Sequence, residues 1–346
     1  MRTPLGRLVA VARESRPIRV VGFIALIAVG TLSLRISLTN AFLYVNWVDA
    51  ISYAEGARHA YASVSPYSEI QLVGPYALDE IIAGLGFVYP PSGAYLLLPF
   101  ALGEAFWYVW NILSIVALIG IVLLMVRREV GHLTVPMTIA VGAVAATAFQ
   151  VGITDLKTGY LSPMVAAAMG SMWLWPRWSA IPSLAFGLVK VFPAAGLLWV
   201  IRKRGIWKMP LVIAVLIGVA VTVAHPSWLG DWLTALANAE PACPEYALPS
   251  FACVGLPPFV GYLAAVLLMF ASWRAKRDDV SFLLLGLAMT APLPDIYWGN
   301  VMVPMVAAIP LVIHESRRWL GRGVERPPDV GGVVGRTVPG SASSNE

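Results

Sequence analysis

At 346 residues, with 58% hydrophobic and only 12% charged positions and a mean hydropathy of +0.75, the chain is too apolar for a water-soluble domain of its length. The long runs are apolar on every face, which argues against a membrane β-barrel, whose strands would alternate apolar and polar residues. The net charge of +5 is no sign of nucleic-acid binding, because membrane proteins collect Lys and Arg on their cytoplasmic side for topological reasons.

Residues 1–19 form a basic N-terminus carrying Arg2, Arg7, Arg13, Arg16 and Arg19. The run from Val20 to Leu38 is longer than the usual signal-peptide core of about 7 to 15 residues, so it reads as an uncleaved first membrane helix. Further membrane helices are expected near 105–126, 134–152, 162–176, 179–190, 191–201, 209–225, 257–273, 279–294 and 299–314. The expected fold is therefore all-α, a multi-pass protein of the cell membrane with about ten transmembrane helices spread over residues 20–316. Both termini are then cytoplasmic, and 20 of the 24 Lys and Arg residues lie on the inner side, as the positive-inside rule requires. Counting Ser92 to Leu102 as a span would move Arg127 and Arg128 outside, so that stretch reads as an interfacial or re-entrant helix. Pro193, in the KVFP stretch, is where the two short segments on either side are expected to break, since proline has no backbone N–H to donate. Residues 317–346, rich in Gly, Pro and Ser, read as a disordered cytoplasmic tail.

Two outer loops are long, 39–91 and 226–256. The second holds the chain's two cysteines, Cys243 and Cys253, in PACPEYALPSFACVG. In an exported loop this pair suits a local disulfide, with free thiols as the alternative; a metal site would need more ligands nearby. The four histidines are scattered and show no zinc-binding spacing, and no GxxxxGK[ST] or GxGxxG loop is present to cradle a nucleotide. The chain's thirteen tryptophans read as headgroup anchors.

Three charged residues stand out against this apolar background. Asp49 begins a stretch of helical character, NWVDAISYAEG, in which Asp49, Tyr53 and Gly56 fall at i, i+4 and i+7 and share one face. Its carboxylate has two readings: an N-cap that satisfies free backbone amides, or a base that accepts a proton from a hydroxyl. Lys190 interrupts the apolar segment LAFGLVKVFPAAG, either as a phosphate-binding cation or as a snorkelling side chain whose ammonium reaches water. Arg35, near the outer end of the first helix, carries the same two readings, with snorkelling favoured.

The pattern Asp49-x-x-x-Tyr53, then Ser65-Pro66-Tyr67, then Phe87-Val88-Tyr89-Pro90-Pro91 leading into LLLPFAL, resembles the first outer loop of the glycosyltransferase 87 family. GLVKVFP followed by Arg202-Lys203-Arg204 is similar to a second segment of that family. Members are polyprenol-phosphate-mannose-dependent mannosyltransferases of GT-C fold. The resemblance implies a membrane hexosyltransferase of the cell envelope that takes its sugar, mannose first among the candidates, from a lipid-linked phosphate. Neither a metal nor a separate cofactor is implied. It also implies Asp49 as general base, Tyr53, Tyr67, Tyr89 and Pro90 as lining of the substrate cavity, and Lys190 and Arg35 as contacts to the phosphate. The implied partners are membrane lipid, the polyprenol-phosphate-sugar donor and a lipid or glycan acceptor. The chain departs from the family's Gly-Gln-x-Asn pattern with Gly159-Tyr160-Leu161-Ser162, and from its His-rich late segment with Asp295-Ile296-Tyr297-Trp298. A transporter or lipid flippase is the competing class; only one broken helix, near Lys190, is seen, without the matching counterpart that inverted repeats would supply. A non-catalytic subunit of GT-C shape is the third reading.

Overall fold

A computed structural model describes residues 15–77, 86–240, 250, 251, 253–257, 259–293 and 298–319. Nearly all of them are helical. Helix α1 spans Arg16–Phe42; α2 (Val48–Tyr61) and α3 (Glu69–Val73) follow it; α4 is Pro91–Leu96; and α5 spans Glu104–Val130. Then follow α6 (Val135–Ala148), α7 (Gln150–Thr154), α8 (Ser162–Leu174), α9 (Ala180–Val189) and α10 (Leu197–Arg202). The last five are α11 (Lys208–Ala224), α12 (Pro226–Asn238), α13 (Phe259–Arg274), α14 (Asp278–Thr290) and α15 (Trp298–Trp319). Among the described residues the sheet structure is one parallel pair of two-residue strands, β1 (Tyr76–Ala77) and β2 (Ala239–Glu240).

Each of the ten expected apolar segments is helical, but the count of ten membrane-length helices does not carry over. Two, α1 and α5, each of 27 residues, are long and apolar enough to cross a membrane, and up to four if each of two bent pairs is one span. Length explains most of the difference, since α8, α9, α10 and α14 run only 13, 10, 6 and 13 residues, and two bends add to it. After α6 the chain turns by 68° into the segment 150–158, and after α11 it turns by 98° into α12 at His225-Pro226. Hydropathy registers the apolar residues on both sides of a break but not the break itself. The expected interruption near Lys190 is present: α9 stops at Val189, Lys190 is extended (φ −126°, ψ 118°), and a 3₁₀ helix, Phe192–Gly196, leads into α10. The stretch 92–102 is a six-residue helix followed by the 3₁₀ helix Leu98–Leu102, ended by Gly103. At about 1.5–2 Å per residue it is far shorter than a bilayer.

Two cores organise the molecule. One packs α5, α8, α14 and α15 around Leu118, Met125, Met169 and Val306, with Trp173, Trp199 and Phe282 stacked at ring separations of 4.8–5.5 Å. The other holds Trp47, Tyr53, Phe87, Tyr89, Phe100 and Trp107 where the segment between α1 and α5 meets α5 and the end of α9. By contrast α11 and α13 leave Val212, Leu216, Val219, Leu263, Val266 and Phe270 at least half exposed, a surface suited to lipid rather than to water. Near the basic end of α15 the imidazole of His314 bridges Glu129 and Asp279, at 2.8 Å to each, and Arg277 closes on Asp279 at 2.6 Å. These pairs tie α5, α14 and α15 together.

The segment after α1 and the segment after α11 clasp each other. Ser65 donates to Asp231 at 2.7 Å, Tyr76 to the Ala235 carbonyl at 2.9 Å, Asn238 to the Gln71 carbonyl at 2.9 Å and Trp232 to the Val88 carbonyl at 3.3 Å. The β1–β2 pairing, Tyr76 with Ala239 and Ala77 with Glu240, adds to the same clasp.

Candidate active site

The start of α2 positions Asp49. Trp47 sits in the left-handed region (φ 53°) at the N-cap position, and the backbone N–H groups of Asn46 and Trp47 both donate to the Lys157 carbonyl at 3.0 Å. Asp49 lies one residue inside the helix, and no side chain caps it, so the N-cap reading of Asp49 is corrected. The carboxylate is left to face the 155–160 turn. Gly159 permits this approach: its φ is +81°, and a Cβ there would lie 2.5 Å from the Cβ of Ala50.

The shared face of α2 is present as expected. Tyr53, 1% exposed, meets Tyr89 hydroxyl to hydroxyl at 3.0 Å and stands edge-on to Phe100 at 5.1 Å between centroids. Gly56 lets the Phe87 ring close on the helix, since a Cβ there would fall 2.3 Å from the ring. Tyr67 donates to the Tyr89 carbonyl at 2.7 Å, fixing the backbone just before Pro90 and Pro91 begin α4. Ser92, in the first turn of α4, donates to the Leu188 carbonyl at 2.8 Å, one of the carbonyls left free where α9 ends. This bond ties the Tyr89-Pro90 segment to the break that carries Lys190.

The Lys190 ammonium stands over two rings, 4.3 Å from the centroid of Tyr160 and 5.6 Å from that of Tyr89. Among the described residues no ion pair or hydrogen bond engages it. Tyr160 donates to Asn300 Oδ1 at 2.8 Å, and Ser162 donates to the same oxygen at 2.8 Å, joining the start of α8 to the start of α15. Of the residues singled out from sequence, Asp49, Tyr53, Tyr89 and Lys190 come together here. Tyr67 and Pro90 support them from behind. Arg35 is exposed on α1, and no hydrogen bond or ion pair among the described residues joins it to the cluster. Cys253 is not a free thiol; Cys243, and with it the expected pairing, lies outside the described residues, as does Asp295.

Burial raises the pKa of the Asp49 carboxyl, opposed by the Thr158 hydroxyl and the positive charge of Lys190. Thr158 also lies 2.8 Å from the Asp155 carbonyl, and its single proton serves one acceptor at a time. Burial, with Tyr89 and Asp49 adding to it, pushes the Tyr53 hydroxyl well above the ordinary phenol value. Tyr89 is pushed up to about 12 by burial, an effect that Lys190 partly offsets. The tyrosines therefore stay protonated near neutral pH and serve as hydrogen-bond donors, whereas Asp49 can take up a proton.

Beside this cluster runs an apolar groove of about 230 Å³, lined by Leu96, Pro99, Phe106, Trp110, Leu161 and Phe186 among others. Its walls include Leu161 and Val189, the immediate neighbours of Tyr160 and Lys190. Sequence reasoning missed Thr158, Ser162 and Asn300, and saw Tyr160 only as a departure from a pattern. Asn300, 6% exposed at the head of a membrane-type segment, was open to detection as a buried polar residue in apolar surroundings.

A buried carboxyl, an ammonium without an ion pair among the described residues and an apolar groove are found near one another on a scaffold with helices apolar enough to cross a membrane. The profile of glycosyltransferase family 87 matches residues 87–293. The chain belongs to glycosyltransferase family 87. As a member of that family it is a membrane glycosyltransferase, which works on a sugar donor and an acceptor. Tyr89, Tyr160 and Lys190 lie within the matched residues; Asp49, Tyr53 and Asn300 lie outside them. No curated protein and no solved structure matches the chain.

Proposed function

We propose that this glycosyltransferase moves a hexose, mannose as the first candidate, from a polyprenol-phosphate donor to a hydroxyl of a lipid or glycan acceptor at the outer membrane face. A GT-C arrangement of about ten membrane segments, some of them broken, with both termini in the cytoplasm, is the scaffold we assign to it. The observation that carries the reading is Lys190, an ammonium with no acidic hydrogen-bond partner among the described residues, whose chain neighbour Val189 lines an apolar groove and whose charge acts on the Asp49 carboxyl. A lipid-linked monophosphate has the complementary parts: an isoprenyl end for the groove, a phosphate for the cation and a sugar for the space toward Asp49.

In the step proposed, the acceptor oxygen attacks the anomeric carbon as its proton passes to Asp49. The bond from that carbon to the phosphate oxygen breaks, and its electron pair leaves with the polyprenyl phosphate. One in-line displacement inverts the anomeric centre. Lys190 stabilises the charge that grows on the leaving phosphate, where a fixed cation in a poorly solvated site acts most strongly. Tyr53 and Tyr89, kept protonated, donate to sugar or phosphate oxygens.

The test uses purified protein in lipid with labelled polyprenol-phosphate-mannose and an acceptor extract from the host membrane. Covalent transfer by the wild type, abolished by Asp49→Asn and weakened by Lys190→Ala, supports the proposal. Movement of the donor across the bilayer without covalent transfer would point instead to a flippase. A folded wild type inactive with every donor and acceptor offered would favour the non-catalytic subunit.

A further inference from the structure

The residues around Lys190 raise a question that the general-base chemistry does not answer: what holds a flexible ammonium in place in an apolar setting without neutralising it? A carboxylate partner would take up its charge and occupy its N–H donors. An aromatic face attracts the cation through the ring quadrupole and leaves those donors free. The nearer of the two rings is Tyr160, at 4.3 Å against 5.6 Å for Tyr89. The Tyr160 ring is itself held, because its hydroxyl donates to Asn300 Oδ1 and Ser162, 2% exposed, donates to the same atom. Asn300 Oδ1 thus has both its lone pairs engaged by hydroxyls, which sets the plane of the amide and the direction of the phenol.

We infer that Tyr160 is a positioning residue for the donor phosphate: anchored by Asn300, its ring holds the Lys190 ammonium where the ammonium can bind the phosphate of an isoprenyl monophosphate. This rests on the phosphate role proposed above for Lys190. It gives a purpose to the Gly159-Tyr160-Leu161-Ser162 sequence, in which Tyr160 supplies the ring and Ser162 the second anchor. A purely structural role for Tyr160, as a strut between α8 and α15, is the alternative to be separated.

The experiment measures binding of farnesyl monophosphate, with farnesol as the uncharged control, to the full chain in lipid nanodiscs. The variants are Tyr160→Leu, Tyr160→Phe, Lys190→Ala and the double variant Tyr160→Leu/Lys190→Ala, each checked for folding by thermal unfolding. Tyr160→Leu is expected to weaken farnesyl monophosphate on the order of tenfold and to leave farnesol unchanged, in line with a desolvated cation–π contact. Tyr160→Phe, which keeps the ring and loses the anchor, should stay within about threefold of wild type. In the Lys190→Ala background Tyr160→Leu should add nothing, because the cation it positions is gone. A strut would instead give effects that multiply in the double variant and that reach farnesol as well, and either result overturns the inference. If Tyr160→Leu does not fold, Tyr160→Phe carrying one, two or three ring fluorines keeps the shape and drains the ring of negative potential. Affinity falling stepwise with fluorine supports the inference; a flat series overturns it. Unchanged binding by Lys190→Ala is a separate outcome, which removes the phosphate role of Lys190 itself.

Discussion

Replacing Asp49 by Asn removes one proton acceptor while keeping the size and much of the hydrogen-bonding capacity of the side chain. A general base contributes about 10² to 10⁴ in rate, so transfer should fall by that factor, equivalent to about 3 to 5.5 kcal/mol of barrier at roughly 1.4 kcal/mol per tenfold. Stability should move the other way or not at all. Burial raises the pKa of Asp49 above its ordinary 3.8 in the folded chain, so folding disfavours the charged form. The fold then loses stability as pH rises from the unfolded value through the raised one, and the penalty is complete above the raised one. Asn carries no charge and escapes it, so Asp49→Asn should unfold at the same temperature as wild type or higher. The rate of the wild type should drop as pH falls through the raised pKa, and this acid limb should vanish from the residual activity of the variant. Labelled-donor turnover across pH, with thermal unfolding on the same preparations, measures all of this. Turnover by a folded Asp49→Asn within tenfold of wild type would refute the assignment and turn attention to Asp155 and Asp295.

Other perturbations test the surroundings. Gly159→Ala puts a side chain at φ +81° and against Ala50, so it should cost about 1–3 kcal/mol of strain and reduce turnover along with the unfolding temperature. Tyr53→Phe leaves the buried hydroxyl of Tyr89 without its 3.0 Å partner; a loss of about 1–2 kcal/mol in stability is expected, with turnover falling less than tenfold. Asp279→Ala strips Arg277 and His314 of a buried acceptor and should lower stability by about 2–4 kcal/mol. Because His314 lies about 21 Å along α15 from Asn300, turnover per folded molecule should not change.

Helix periodicity placed Asp49, Tyr53 and Gly56 on one face from sequence, and the Tyr53–Tyr89 contact confirms that face, because a 3.6-residue repeat needs no tertiary knowledge. The proline and the lysine of KVFP announced a break for the same local reason. What local reasoning could not supply was the partner of each exposed face. Asn300 and Tyr160 are 140 positions apart and meet through the packing of α15 on α8, which no spacing rule encodes. Trp47 in a left-handed conformation took the cap position that composition favoured for Asp49, because the Lys157 carbonyl satisfies two backbone amides there at once. The overcount of membrane-length helices has an equally physical source: hydropathy registers an apolar stretch without measuring how long a straight helix it makes, and α8, α9, α10 and α14 stop at 13, 10, 6 and 13 residues.

The clasp between the segments that follow α1 and α11 has a consequence for how the molecule is made. β1 waits for β2 across more than 160 positions of chain, and the bonds to Asp231, Ala235 and Asn238 wait with it. During synthesis Asp49 emerges early, Lys190 midway and Asn300 near the end of the helical region. For most of its time on the ribosome the nascent chain therefore carries only part of the cluster around Asp49 and Lys190, which is complete only after its distant stretches have met. A helix-by-helix insertion pathway can place the spans, but the clasp is a late, long-range event, and a defect in α12 would surface first as slow maturation.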